Sequence, residues 1–150
     1  MIDFDGNMIN ISRKDVVARK ATAVGRIYLR KETITAIKNN QVKKGNVIEI
    51  SRAVGTMYAK NTFLQIPYCH NIPIEGVDVD FSLGENYVEV TCSTTTSYKT
   101  GIEMEAINCV NGALLNIWDM VKYLEKDETG NYPETRIEGV HVIKKTKSQE

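Results

Sequence analysis

The spacing of apolar residues alternates between two periods along this chain, and the order of the two constrains the fold most. Alternation of apolar and polar residues is typical of a strand with one wet face, whereas apolar residues three and four apart are typical of a helix. The strand-like segments are 16–29, 77–83, 87–97 and 136–145, and the helix-like segments are 32–39, 46–60 and 101–125.

This order, β-α-β-β-α-β with a short extra helix, predicts an α+β fold of the ferredoxin-like, split βαβ type. Gly84 lies in a three-residue connection between 77–83 and 87–97, which is hairpin length, so we expect these strands to pair antiparallel. The resulting antiparallel sheet has the main helices on one face. Asp78 and Asp80 indicate that the other face is at least partly exposed.

The chain of 150 residues has room for one compact domain, 1–150. We expect short flexible ends at about 1–9 and 146–150. The segment 46–60 has Asn46 as a candidate N-cap, with Glu49 three residues on.

Composition argues against several functional classes. Nineteen basic and nineteen acidic residues leave no bulk field for nucleic acid, and no apolar run approaches the roughly 20 residues of a membrane span. The acidic start of the chain lacks the layout of a signal peptide. The cysteines Cys69, Cys92 and Cys109 form no C-x-x-C motif, and we interpret them as unpaired, as in a reducing compartment. We therefore expect a cytoplasmic protein.

The segment 101–125 carries an apolar stripe and a separate polar arc. On that arc Asp119 and Lys122 are three residues apart, so their side chains are neighbours. They fit an ordinary surface ion pair. They also fit a lysine that an aspartate orients in a cleft, where loss of solvent brings its pKa toward neutrality for acid–base chemistry. Spacing alone does not choose between these two interpretations.

Two carboxylates lie at the start of the same segment. Thr100 and Glu103 have the spacing of a capping box, and Glu103 and Glu105 suit the positive end of the helix dipole. This structural role accounts for Glu103. It leaves open whether Met104 and Glu105 recognise a donor-rich base edge such as that of guanine.

The segment 66–71 is an irregular loop with reactive residue types. Adjacent Cys69 and His70 do not by themselves make a nucleophile and its base, because the base must reach the thiol in space. A buried cysteine beside a hydrogen-bonded histidine is the plainer interpretation. His70 and His141 are the only histidines, and no metal-ligand spacing is present, so we predict no metal site.

Basic residues occur in several separate elements, without a P-loop or a dinucleotide-binding motif. They form a polyphosphate pocket only if the fold gathers them beside the start of 46–60. Composition does not say whether it does. The candidates are Arg19, Lys44, Arg52, Lys60, Lys122 and Lys145.

Four motifs together give a specific resemblance. They are Lys43–Gly45, Ile66–His70 (I-P-Y-C-H), Lys99–Ala106 (K-T-G-I-E-M-E-A) and Trp118–Lys122 (W-D-M-V-K). In order and spacing they resemble the molybdenum cofactor biosynthesis protein C (MoaC) family of cyclic pyranopterin monophosphate synthases, from about residue 10 to residue 145. The family's ferredoxin-like fold agrees with the order of segments.

The resemblance implies a lyase that converts 3′,8-cyclo-7,8-dihydroguanosine 5′-triphosphate to cyclic pyranopterin monophosphate and diphosphate. It implies that Asp119 and Lys122 form the catalytic centre, with Lys44 as a second catalytic lysine. We expect Lys122 to be the principal acid–base group, and His70 to bind rather than act as a base.

The resemblance also assigns binding residues and partners. It implies a homo-oligomer, a hexamer built as a trimer of dimers with sites at subunit interfaces. The sequence itself shows no required cofactor and no carboxylate cage, although a divalent cation can accompany the triphosphate. Nucleic acid and membrane are not expected partners. The implied substrate-binding residues are Tyr68, Cys69, His70, Glu103, Met104 and Glu105, with Arg19, Lys60 and Lys145 around the triphosphate.

A non-catalytic ferredoxin-like module that binds a nucleotide is the alternative from a different class. A binding module does not need Lys44, Asp119 and Lys122 as a set, so their presence together favours the enzyme. Turnover of the cyclic GTP-derived substrate separates the two hypotheses.

Overall fold

A computed structural model describes residues 6–148 of the chain. The helix and strand order predicted from the sequence is confirmed, with one short helix added before Pro67. The elements are β1 (Val17–Tyr28), α1 (Lys31–Lys38), α2 (Val47–Lys60), α3 (Thr62–Gln65), β2 (Gly76–Leu83), β3 (Tyr87–Tyr98), α4 (Glu103–Glu125) and β4 (Arg136–Ser148).

The four strands form one antiparallel sheet in the order β2-β3-β1-β4. Val77 pairs with Thr94 and Leu83 with Val88, so the expected hairpin between β2 and β3 is confirmed. Tyr28 of β1 pairs with Tyr87 of β3 at the same end of the sheet as the β2–β3 turn. This order is the split βαβ arrangement that the sequence predicts.

The core lies between one face of the sheet and the helices α2 and α4. Side chains of one parity in β1 and β3 are buried, as Ala23 and Val90 are, whereas Asp78 and Asp80 on the opposite face of β2 are exposed. The apolar stripe of α4 covers the buried face. None of the helices among residues 6–148 has the length and apolar character needed to span a membrane.

The N-cap of α2 agrees with the prediction from the sequence, and the N-cap of α4 differs from it. The Asn46 side chain accepts a hydrogen bond from the Glu49 backbone N–H at 3.1 Å, which confirms the N-cap of α2. The capping box expected at Thr100 and Glu103 is wrong, because Ile102 is the N-cap of α4 and no side chain caps it. Glu103 has a different partner, described below.

The expected end at about 146 also differs. Residues 146–148 continue β4, because Thr146 pairs with Lys20 and Ser148 with Ala18 of β1. At the other end, where flexibility is expected over about 1–9, the Ile9 carbonyl accepts a hydrogen bond from the His70 ring. Residues 1–5 and 149–150 lie outside the described range, so flexibility there stays a prediction.

The interpretation of all three cysteines as unpaired is wrong. Cys92 on the buried face of β3 and Cys109 on the buried face of α4 form a disulfide, with Cα atoms 6.2 Å apart. The two lie 17 residues apart in sequence, so a C-x-x-C motif was the wrong signal to search for. Cys69 remains a free thiol. The cysteines therefore give no support for a reducing compartment.

Candidate active site

One candidate site is built around Asp119 on α4. The Lys44 ammonium donates to the Asp119 carboxylate at 3.0 Å and to its backbone carbonyl at 3.1 Å. The Lys122 ammonium is 3.1 Å from the other carboxylate oxygen. Two lysines that are remote in sequence therefore meet on one carboxylate, as the resemblance implies.

Local structure explains this geometry. Asp119 and Lys122 lie on one face of α4 because they are three residues apart. Lys44 lies in the connection between α1 and α2, which the structure places against the second half of α4. The cluster holds two cations and one anion, so it keeps a positive charge that suits an anionic ligand.

The cluster is open to solvent in the single chain. The side chains of Lys44, Asp119 and Lys122 are 45%, 53% and 43% exposed. The Lys44 hydrogen bond, followed by that of Lys122, holds the pKa of the Asp119 carboxyl below its usual value. Asp119 is therefore ionised at neutral pH, and these residues alone do not desolvate Lys122.

A cavity of about 370 Å³ opens at the other end of α4. The 66–72 loop and the 100–105 segment form its walls, and Asn7 and Ile9 add an edge that sequence reasoning missed. No motif in the sequence indicates this edge, since it depends on how the N-terminal segment lies across the loop. Six predicted binding residues line the cavity: Tyr68, Cys69, His70, Glu103, Met104 and Glu105.

Glu105 is the buried polar group of this cavity. The residue is 3% exposed, and the Cys69 thiol donates to Oε2 at 3.4 Å. The other oxygen, Oε1, has no hydrogen-bond partner among residues 6–148. Burial raises the pKa of the Glu105 carboxyl. An unpaired buried acceptor is costly, and a ligand N–H or O–H would satisfy it.

The cysteine and histidine of the cavity have separate partners. Burial, with a further contribution from Glu105, raises the pKa of Cys69 to about 11, so at neutral pH it is a thiol and a hydrogen-bond donor. His70 Nε2 lies 2.7 Å from the Ile9 carbonyl oxygen. A protonated thiol is a poor nucleophile, and the thiol and the imidazole bond different partners, so the structure does not support an activated Cys69–His70 pair.

Glu103 and Lys145 connect the cavity to β4. The Lys145 ammonium is 3.2 Å from Glu103 Oε1, which explains why Glu103 does not serve a capping box. Gly101 lies beside both, and a Cβ there would be 3.2 Å from the Lys145 nitrogen. Lys145 thus lies beside two residues that line the cavity, and its expected place around the triphosphate stays a prediction.

The remaining basic candidates do not converge. The Arg19 guanidinium donates to the Tyr98 carbonyl at 3.0 Å and lines a different cavity. Arg52 donates to the Val79 carbonyl and contacts the Phe81 ring, so its role is structural. Lys60 is exposed at the end of α2. Among residues 6–148 of a single chain, these basic residues form no polyphosphate pocket beside the start of α2.

The two candidate sites occupy opposite ends of the same helix. Glu105 and Asp119 are 14 residues apart, which corresponds to about 21 Å along the helix axis. One site offers cations, and the other offers carboxylates, a thiol and an imidazole. Among residues 6–148, no group of three or more His, Cys, Asp or Glu side chains is placed to hold a metal ion.

Comparisons with known proteins add to this geometry. A "Probable cyclic pyranopterin monophosphate synthase" of Thermoplasma acidophilum is 74% identical over 94% of this chain and 99% of that protein. Proteins with the same name from Pyrococcus horikoshii and Methanoregula boonei are 55% and 50% identical, over 94% and 98% of this chain and 89% and 95% of theirs. The model of the MoaC family matches residues 8–148, so this chain belongs to the MoaC family.

Proposed function

We propose that the protein is a cyclic pyranopterin monophosphate synthase of molybdenum cofactor biosynthesis. Its substrate would be 3′,8-cyclo-7,8-dihydroguanosine 5′-triphosphate, which loses diphosphate, closes a cyclic phosphate and rearranges to a pyranopterin. The observation that carries the proposal is the meeting of Lys44 and Lys122 on Asp119, in a chain that belongs to the MoaC family.

The proposal gives each residue of that cluster a role. Lys122 exchanges protons with the rearranging ring system, Lys44 assists it, and Asp119 orients both ammonium groups. The departing diphosphate gains negative charge, and fixed cations stabilise such charge best when water is excluded. Because the cluster is half exposed in one chain, we propose that bound substrate and a second copy of the chain exclude that water.

The cavity at the start of α4 would bind the guanine-derived part of the substrate. The edge of the guanine-derived ring is rich in N–H donors. Glu105 Oε1, which has no partner among residues 6–148, is a buried acceptor for one of them. Met104 and Tyr68 provide apolar surface, and His70 adds a hydrogen bond. Arg19, Lys60 and Lys145 would surround the triphosphate.

A shared site between two copies follows from the distances. In the substrate the base and the ribose are directly bonded, so groups that act on them must lie within a few ångströms of each other. Glu105 and Asp119 of one chain are about 21 Å apart along α4. We therefore propose that the cavity of one copy faces the Asp119 cluster of another, within a hexamer built as a trimer of dimers.

No resident cofactor or metal is part of the proposal, and any divalent ion would enter with the triphosphate. We also propose a cytoplasmic location, because GTP, from which the substrate derives, is present in that compartment. Turnover in the presence and absence of a chelator tests the metal expectation directly.

Turnover of the cyclic substrate tests the proposal. We expect the wild-type protein to release diphosphate and cyclic pyranopterin monophosphate together. Lys122→Ala should lose turnover by about 10²-fold or more, because an acid–base group is removed, and should keep the wild-type circular dichroism spectrum. Lys126→Ala, one turn later and exposed, is the matched control and should keep full activity. Substrate binding without either product would favour the non-catalytic nucleotide-binding module.

A further inference from the structure

The connection that carries Lys44 is fixed to α1 and to the core, but it has few contacts with the face of α4 that holds Asp119. It runs from Asn39 to Asn46, between α1 and α2, and Val42 is its buried residue. A turn closes it where the Gly45 N–H donates to the Val42 carbonyl at 3.1 Å. Gly45 has a φ of 120°, which favours glycine. These contacts shape the connection but do not attach it to the face of α4 that holds Asp119.

Tyr123 makes that attachment. The Lys43 backbone N–H donates to the Tyr123 hydroxyl at 2.8 Å, and the Lys43 ammonium lies 5.2 Å from the centre of the Tyr123 ring. Among residues 6–148, this is the only hydrogen bond that the backbone of the connection makes to α4. Tyr123 lies four residues after Asp119, so both side chains lie on the same side of α4.

The position of this bond determines how far Lys44 must reach. Lys43 and Lys44 are adjacent, so a hydrogen bond to the Lys43 N–H fixes the backbone from which the Lys44 side chain extends. That side chain then gives its ammonium two acceptors on Asp119. A lysine side chain loses much rotamer freedom on being held, so a displaced backbone would leave this contact unformed for more of the time.

We propose that Tyr123 is a positioning residue: its hydroxyl holds the backbone beside Lys44 against α4 and so keeps the Lys44 ammonium on Asp119. The inference rests on the proposed function, because it assigns Lys44 its catalytic place. Tyr123 itself contacts no reacting group in this scheme.

Tyr123→Phe tests the inference because it removes the hydroxyl and keeps the ring under Lys43. Tyr132→Phe is the matched control, since the Tyr132 ring packs edge-on against Trp118, with centroids 5.2 Å apart, and its hydroxyl holds no backbone of the Lys44 connection. The first measurement is the titration of the Asp119 carboxyl by carbon NMR. The Lys44 hydrogen bond is the larger cause of its lowered pKa, so Tyr123→Phe should raise this pKa toward the usual value.

Exchange of the Lys43 amide with deuterium at neutral pH is the second measurement, and it does not depend on folding at low pH. We expect faster exchange in Tyr123→Phe than in wild type and Tyr132→Phe. The third is turnover, in which kcat should fall about three- to tenfold with KM changed less than about twofold, as expected for one lost hydrogen bond.

An unchanged Asp119 titration and an unchanged Lys43 exchange rate in Tyr123→Phe would overturn the positioning role. A shifted titration with wild-type kcat would also overturn it, since the contact would then have no catalytic consequence. If the wild-type protein forms no product at all, the proposed function fails, while the titration and the exchange still decide whether Tyr123 places Lys44.

Discussion

Glu105 shows how burial changes the chemistry of a single residue. One of its oxygens accepts from Cys69 and the other has no partner among the described residues, while water is almost excluded from both. Burial raises the pKa of this carboxyl and that of the neighbouring thiol. Because the pKa of Cys69 is raised to about 11, its thiol is protonated at neutral pH, so the cavity floor is a hydrogen-bonding surface and not a nucleophilic centre.

The raised pKa of Cys69 predicts slow alkylation. Because only the thiolate reacts, the rate with iodoacetamide should rise about tenfold per pH unit until the pH approaches the thiol pKa of about 11. Glu105→Gln removes a nearby negative charge, so the pKa of Cys69 should fall and the rate at pH 8 should increase. Mass spectrometry of the Cys69 peptide measures both rates. A rate that levels off near pH 8 in the wild type would contradict this account.

At the scale of elements, two glycines allow α2 and α4 to pack closely. A Cβ on Gly55 of α2 would lie 3.1 Å from the Cys109 carbonyl oxygen. A Cβ on Gly112 of α4 would lie 2.6 Å from Cδ2 of the Tyr58 ring. The two helices can therefore cross this closely only because glycine stands at both positions. The crossing lies between the two candidate sites on α4.

Gly112→Ala should destabilise the protein although alanine is the better helix former. The added methyl group meets the Tyr58 ring, and overpacking of this kind costs about 1–3 kcal/mol, more than the roughly 1 kcal/mol gained in helix propensity. Asn111→Ala, on the exposed side of the same turn, is the control and should leave stability unchanged or raise it. Urea unfolding measures both. A Gly112→Ala protein at least as stable as the wild type would show that the helices are not held at this distance.

The elements were predictable because each has its own periodicity, and the strand pair 76–83 and 87–98 also has its connection. The partner of Glu103 at the start of α4 was not predictable. The spacing of Thr100 and Glu103 fits a capping box, whereas Glu103 in fact pairs with Lys145. That pairing depends on β4, which is remote in sequence. The helix α3 has only four residues, too few for a period to be recognised.

The candidate site was predictable in part for the same reason. Asp119 and Lys122 are neighbours on any helix, so spacing reveals them. Lys44 could be placed with them only through the family resemblance, since the approach of its connection to α4 is a tertiary contact. The carbonyl of Ile9 beside His70 and the hydroxyl of Tyr123 beside Lys43 have no signal in the sequence at all.

At the scale of the whole molecule, the disulfide links the centre of the sheet to the helix that carries both candidate sites. Cys92 belongs to β3 and Cys109 to α4, and both are fully buried. A link across a loop of this size restricts the unfolded chain and so stabilises the folded one. The sheet and α4 are thereby tied together close to the crossing with α2.

The pairing predicts the number of reactive thiols. The chain unfolded without reductant should show one thiol, Cys69, and three after reduction, because the chain has three cysteines. Reductant should also lower the free energy of unfolding by about 3 kcal/mol, the value expected for a loop near this length. Three thiols without reductant would show that Cys92 and Cys109 are not bonded.

The division of the site between two ends of α4 is the central claim about the whole molecule, and mixed oligomers test it most directly. Lys122→Ala damages the cationic end and Glu105→Gln the cavity end, so each protein alone should be nearly inactive. When the two are produced together, about a quarter of shared sites would draw both intact halves if copies assemble at random. We predict that the mixture regains about that fraction of wild-type turnover.

The matched control pairs Lys122→Ala with Asp119→Ala. Both substitutions damage the same end, so no combination of copies restores a site and the mixture should stay inactive. Recovery of turnover in the first mixture but not in the second is the result the account predicts. No turnover in the first mixture beyond that of the separate variants would contradict it, because the two ends would then not act together across a subunit boundary.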